Sequence, residues 1–176
     1  MSGHNKYSKI KHVKAKNDAQ KSKVFGKLVR LISVEAKKAN GNMSSPGLVT
    51  AIEKARGENM PNDTIDRAIK KAIADNSASM ESIIYESYGP GGVAILISAL
   101  TDNRNKAAQE VKHILSKNGF ELASPGSASW AFVKNGETWT PTTTIPLEDA
   151  DIEKLTILVE ELENNDEVQD VFTNAE

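Results

Sequence analysis

The sequence predicts an α+β protein, an N-terminal three-helix unit followed by a ferredoxin-like α/β domain. Three observations carry that prediction. Apolar residues recur at helical spacing up to about Ala74 and change to strand-like runs after Met80. Polar Asp75 to Ser79 separates the two patterns. The charge divides at the same place: residues 1–75 hold 16 Lys+Arg against 7 Asp+Glu, and residues 76–176 hold 6 against 17. The expected domains are therefore 1–78, a basic arm with a helical region, and 79–176, the α/β region.

Residues 1–16 lack helical periodicity and read as an extended arm carrying Lys6, Lys9, Lys11, Lys14 and Lys16. From about Asn17 the spacing predicts a helix that stops at Asn40-Gly41. Lys16, Lys23, Lys27, Arg30 and Lys37 fall on one stripe of it, with Val24, Phe25, Leu28, Leu31 and Ile32 opposite. Glu35 also falls on the apolar side, so it must reach the rim or find a partner. Ser45 as a capping hydroxyl and Pro46 at the first position open a second helix, marked by Leu48, Ala51, Ile52 and Ala55. Met60-Pro61 breaks it. Asn62 or Asp63 should cap a third helix that buries Ile65, Ala68, Ile69, Ala72 and Ile73.

In the second half, strand-like Ile83–Tyr88 and Val93–Leu100 flank Gly89-Pro90-Gly91-Gly92. No Lys-Ser/Thr pair and no helix follow those glycines, so they predict a tight turn rather than a phosphate loop. The nearly all-apolar second run predicts a central strand. Asp102 or Asn103 should cap a helix ending at Asn118-Gly119, with Ala107, Ala108, Val111, Ile114 and Leu115 inward. Phe120–Ala123, Ser127–Lys134 and Thr138–Ile145 are further strand candidates, the last two joined by an Asn135-Gly136 hairpin turn. Glu148–Asn164 predicts an acidic helix burying Ile152, Leu155, Val159 and Leu162, and Val168–Phe172 a last strand.

The same residues narrow the function. The absence of cysteine excludes disulfides, thiolate metal sites and a cysteine nucleophile, and fits a reducing cytosol. No apolar run reaches membrane-spanning length and no secretory signal opens the chain, so the expected location is cytoplasmic. His4, His12 and His113 do not pair at metal-ligand spacing. Ser8-Lys9-Ile10-Lys11 has the spacing of serine acyl-enzymes without their companion motifs. A solvated face accounts for the carboxylates of the acidic helix. The expectation is a protein that is not an enzyme, with no cofactor, no metal and no small-molecule substrate.

The basic region points elsewhere. A lysine-rich arm and a cationic stripe can meet a regularly spaced phosphate backbone, although charge alone leaves a solvated lysine face as an equal alternative. The candidate nucleic-acid-binding residues are Lys6, Tyr7, Lys9, Lys11, His12, Lys14, Lys16, Lys23, Lys27 and Arg30. Arginine is scarce there, so backbone and shape recognition is expected over base reading. Tyr7 could stack on an unpaired base. Asn103 and Arg104, where a strand meets a helix N-terminus, form a candidate anion site.

Gly3-His4-Asn5-Lys6-Tyr7, Asn59-Met60-Pro61 and Arg67-Ala68-Ile69-Lys70-Lys71 resemble the YebC family, as do Tyr88-Gly89-Pro90-Gly91-Gly92-Val93 and Thr101-Asp102-Asn103-Arg104-Asn105. Gly126-Ser127 with Trp130 and Phe132, and Val168–Phe172 with Asn174, are similar to its later blocks. The resemblance implies a nucleic-acid-binding regulator of gene expression, with DNA or RNA as partner. Its members are transcriptional regulators that bind DNA, and some are ribosome-associated translation factors or a mitochondrial translational activator. A ribosome-associated factor binding ribosomal RNA is therefore the alternative, and a ligand or protein-interaction module a third reading. The family pattern has a third domain inserted into the second. Here Val133-Lys134-Asn135-Gly136 passes almost directly to Thr142-Thr143-Thr144-Ile145-Pro146-Leu147, so that insert is expected to be missing near 136–141. Tyr7 stands where the family usually has tryptophan, and keeps an aromatic face.

Overall fold

The apolar stripe read between Val24 and Ile32 becomes one side of α1 (Asp18–Lys38) in the computed structural model, which describes residues 18–77, 79–136 and 138–176. Leu28, Ile32 and Ala36 are buried, and Val24, Phe25 and Leu31 pack half-buried against them. The helix stops as expected: Asn40 and Gly41 take positive φ values of 49° and 79°, and the Gly41 N–H returns to the Ala36 carbonyl at 3.0 Å. α2 (Pro46–Gly57) contributes Leu48, Ala51, Ile52 and Ala55 to the same core, and α3 (Asn62–Ala74) contributes Ile65, Ala68, Ile69 and Ala72. Each such leucine or isoleucine stabilises the unit by roughly 1.5–3 kcal/mol through burial.

Three local expectations are corrected here. Ser45 stands at the cap position of α2 with extended backbone, yet its hydroxyl makes no capping bond. Neither Asn62 nor Asp63 caps α3, because the Pro61 carbonyl already takes the Thr64 and Ile65 amides at 3.0 and 3.2 Å. Ile73 is 47% exposed, since it lies over the loop at Gly41 rather than in the core.

Glu35 finds its partner. It is only 8% exposed, accepts a 2.8 Å bond from Lys38, and directs its other carboxylate oxygen at Gly47 in the first turn of α2. Negative charge at a helix N-terminus is favourable, and the lack of a side chain at Gly47 makes the approach possible. Glycine to alanine inside a helix ordinarily gains about 0.5–1 kcal/mol. Gly47→Ala is expected to reverse that sign, lowering stability by roughly 1 kcal/mol in denaturant titration as the carboxylate is displaced.

Among the described residues the second unit comprises Ser82–Glu176, its boundary falling within the first residue pair of the opening strand. It runs β1 (Glu81–Tyr88), β2 (Ala94–Thr101), α4 (Arg104–Lys117), β3 (Leu122–Ala123), the hairpin β4 (Phe132–Asn135) and β5 (Thr138–Pro141), α5 (Asp149–Glu163) and β6 (Val168–Thr173). Four strands form a sheet in the order β3-β1-β2-β6, and the hairpin is a separate two-stranded sheet. The architecture is α+β. β2 lies inside the sheet, as its apolar run predicts, with seven of its eight residues buried. Ile95 and Ile97 meet Val111 and Leu115 of α4 and Leu155, Leu158 and Leu162 of α5. Ala94 and Leu96 meet Ala128, Ala131 and Phe132, with Trp139 half-buried beside them. Lys117 and Asn118 clamp α4 to α5 through Glu161, at 3.1 and 2.9 Å.

The glycine-rich segment is a tight turn, closed by the Gly89 N–H on the Val93 carbonyl at 2.8 Å. Asn135-Gly136 turns the hairpin, with Asn135 opposite Thr138. The other strand candidates shorten. Phe120–Ala123 leaves only Leu122–Ala123, and Thr138–Ile145 ends at Pro141, with Ile145 forming a lone bridge to Ala175. Ser127–Lys134 splits into a 3-10 turn at Ser129–Ala131 and then β4, because its amides bond to a side chain instead of a strand. Among the described residues no helix is long and apolar enough to cross a membrane.

Candidate nucleic-acid interface

On α1 the alternation of charge and apolarity places cations opposite the core. Lys23 is exposed, and Lys27 and Arg30 are half-buried along the side away from Ile32. Lys37, the last cation of the stripe, is turned elsewhere: its ammonium donates to the Ser77 carbonyl at 3.0 Å and lies 3.8 Å from Asp75. Bonds from the Ser77 backbone and hydroxyl hold the Asp75 carboxyl below the ordinary aspartate range, with Lys37 adding to the effect. Lys37 thus ties down the segment after α3 instead of extending the cationic face. Lys6, Tyr7, Lys9, Lys11, His12, Lys14 and Lys16 lie outside the described residues.

Further cations of the helical unit are exposed on α2 and α3: Lys54, Arg56, Arg67, Lys70 and Lys71. Arg56 bonds to Asn62 at 3.2 Å and Arg67 to the Asp63 carbonyl at 3.2 Å. Helical periodicity showed only that these residues point away from the core, and so gave them no place in the binding surface.

At the α4 N-terminus the cap is Asn103, whose side-chain oxygen accepts the Lys106 N–H at 3.1 Å. Thr101 is buried and accepts the Asn103 N–H at 2.9 Å, which sets the turn. Asn103 is therefore engaged within the turn, while Arg104 beside it is exposed. Burial raises the Tyr85 hydroxyl above its ordinary value; the Arg104 charge opposes this and Glu167 adds to it. An open cleft of ≈ 340 Å³ lies along the same helix, lined by Lys106, Glu110, His113 and Asn165 among others. Glu110 is tied to Asn165 across it at 2.8 Å. Among the described residues no three His, Cys, Asp or Glu side chains are grouped to hold a metal ion.

One feature of the second unit escaped the sequence reading. Glu86 on β1 is 6% exposed, and its carboxylate accepts three backbone N–H bonds, from Gly126 and Ala128 at 2.7 Å and Ser129 at 2.9 Å. This pins the segment 126–129 and, with it, Trp130. The Trp130 Nε1–H donates to the Tyr88 hydroxyl at 3.0 Å, and that hydroxyl in turn donates to the Ser127 carbonyl. The available signal was weak, a carboxylate within the strand-like run Ile83–Tyr88, which must have donors when buried.

Comparison with known proteins follows the same division. The model of the TACO1/YebC protein N-terminal domain matches residues 5–75, and that of the TACO1/YebC second and third domain matches residues 80–138 and 134–175. The chain is 38% identical to a "Probable transcriptional regulatory protein" of Fervidobacterium nodosum, over 99% of its own length and 93% of the relative's. It is 45% identical to a protein of the same name from Petrotoga mobilis, over 100% of its length and 71% of the relative's. A crystal structure of a conserved hypothetical protein from Aquifex aeolicus superposes with a TM-score of 0.81 at 32% identity, covering 95% of each chain.

Proposed function

The chain belongs to the TACO1/YebC family, and on that premise we propose that it is a nucleic-acid-binding regulator of gene expression. In this reading the basic N-terminal region grips a phosphate backbone. The single observation that carries it is the charge division, 16 cations against 7 acids before residue 76 and 6 against 17 after it. On α1 that charge takes the form of Lys23, Lys27 and Arg30 set opposite a buried apolar face. Lys6, Tyr7, Lys9, Lys11, His12, Lys14 and Lys16 of the N-terminal sequence are the other residues assigned to this role. The names of the Fervidobacterium and Petrotoga relatives support a transcriptional role. A non-catalytic, cytoplasmic protein is part of the same reading.

A second reading, a translation factor bound to ribosomal RNA, draws on the scarcity of arginine and on Tyr7. Both suit backbone and unpaired-base contact better than reading of duplex sequence. We also assign the missing insert to the β4–β5 turn. The Fervidobacterium alignment runs over 235 positions although this chain has 176 residues, and the two matched family segments meet at 134–138.

Salt dependence tests the shared premise. Affinity for duplex DNA and for ribosomal RNA should fall steeply with salt. Replacing Lys23, Lys27 and Arg30 together by alanine should reduce the log–log slope by about 2–3. A slope unchanged by the triple replacement would sink this placement of the surface. Promoter protection then favours the transcriptional reading, and co-sedimentation with ribosomes the translational one.

A further inference from the structure

Trp130 is 63% exposed and Tyr88 38%, and the two side chains meet to form an outward aromatic patch on the second unit. An exposed tryptophan on a mobile loop would mean little. This one is held by a chain of bonds. Glu86 fixes the backbone at Gly126, Ala128 and Ser129, and the Tyr88 hydroxyl bridges the Ser127 carbonyl and the indole N–H. The polar edge of the indole is consequently satisfied within the protein, and what remains for a partner is the ring face. Such a preorganised face loses little side-chain entropy on binding.

The charge around the patch selects the partner. Residues 148–170 hold ten acidic residues and one lysine, whereas residues 122–147 hold one lysine, Lys134, and one acid, Glu137. The stretch bearing Trp130 is thus close to neutral within an acidic unit, so a polyanion meets little repulsion there. Lys134 is exposed in β4, one residue beyond Val133, with its ammonium 5.9 Å from the Trp139 ring centre. Stacking on an unpaired base requires an exposed aromatic face, and a cation in the same stretch of chain can meet its phosphate. We infer that Trp130 and Tyr88 form a stacking platform for an unpaired nucleobase, with Lys134 serving the adjacent phosphate. This rests on the nucleic-acid reading above and adds a second contact surface to it, one specific for single strands.

The test uses the full chain carrying Trp139→Phe, so that Trp130 is the sole tryptophan. Titration with oligouridylate RNA should quench its fluorescence, and an equivalent duplex RNA should not. Trp130→Ala should weaken single-strand binding about tenfold, the scale of one base–aromatic stack. It should leave duplex affinity unchanged and shift the melting temperature little, because only the bond to the Tyr88 hydroxyl is lost within the protein. Trp130→Phe, which keeps a ring face, should restore most of the binding. Absence of quenching, or single-strand affinity within twofold of the parent in Trp130→Ala, overturns the platform. If Lys23, Lys27 and Arg30 still govern a salt-dependent duplex affinity in that case, the general reading stands and only the platform fails. Binding to neither nucleic acid removes both. Quenching only on addition of nuclease-treated cell extract assigns the patch to a protein partner and refutes the inference.

Discussion

Glu86→Gln is expected to destabilise the second unit by about 2–4 kcal/mol, because it leaves backbone donors unmatched in the interior. The carboxylate accepts from Gly126 with one oxygen and from Ala128 and Ser129 with the other. An amide presents only one acceptor, and its NH₂ group must face at least one backbone N–H. Ala128 is fully buried, so water cannot replace the lost bond there. At roughly 4–8 °C per kcal/mol for a domain of this size, the loss should be plain in a thermal melt. Acid should reproduce part of it in the parent chain. Burial alone would raise the Glu86 carboxyl, but the three backbone bonds and Ser129 outweigh it and hold it below the ordinary glutamate value of 4.5. Its stabilisation is therefore complete above that value and is lost as pH falls through the lower folded-state value. The stability of Glu86→Gln should vary less with pH in that acid window. A parent and variant with parallel acid profiles would remove the carboxylate from this role.

Gly91→Ala should cost roughly 2–4 kcal/mol, again in the second unit, for two reasons that add. Gly91 has a φ of 67°, a left-handed conformation in which an L side chain costs about 1–2 kcal/mol. A Cβ at Gly91 would also run into the Leu147 side chain, which packs over the turn against the core. Displacing packed apolar atoms costs typically 1–3 kcal/mol. Gly92, with a similar φ of 82° and open space around its Cβ position, is the control. Gly92→Ala should show the conformational cost without the clash. Equal melting temperatures for the two variants would mean that Leu147 yields freely.

The contrast between these glycines shows what a sequence carries and what it withholds. Periodicity located the five α-helices of the described residues, because a buried face repeats every turn and needs no knowledge of its partner. Both hairpin-type turns were legible for the same local reason: Asn135-Gly136 and the Gly89–Gly92 segment state their geometry in their own residue types. Segment 122–131 was not legible. Its shape is set by Glu86, some forty residues upstream, and no pattern within the segment records that its amides have a distant acceptor. Glu35 and Lys37 show the same limit. Helical projection placed one on the apolar side and the other among outward cations, but only the fold brings Gly47 to the first and Ser77 to the second. For the candidate surface, helical projection sets Lys23, Lys27 and Arg30 away from Ile32, but it does not show that Lys27 and Arg30 are half-buried there. The Trp130–Tyr88 pairing depends on β1 and a 3-10 turn meeting in space, which spacing cannot express.

The pairing of β2 with β6 bears on synthesis. Ile97 lies opposite Val171, and the β3-β1-β2-β6 order makes β6 the edge strand beside β2. The helical unit closes through contacts among three consecutive helices, and proteins rich in local contacts fold fast. A growing chain will therefore present its folded cationic helices while β2 still lacks a neighbour on one side. During that interval a strand of almost unbroken apolar sequence is an open edge, the feature most prone to pairing with another molecule. Translation that stalls between α4 and β6 should yield a chain with its basic surface formed and its sheet poised to aggregate.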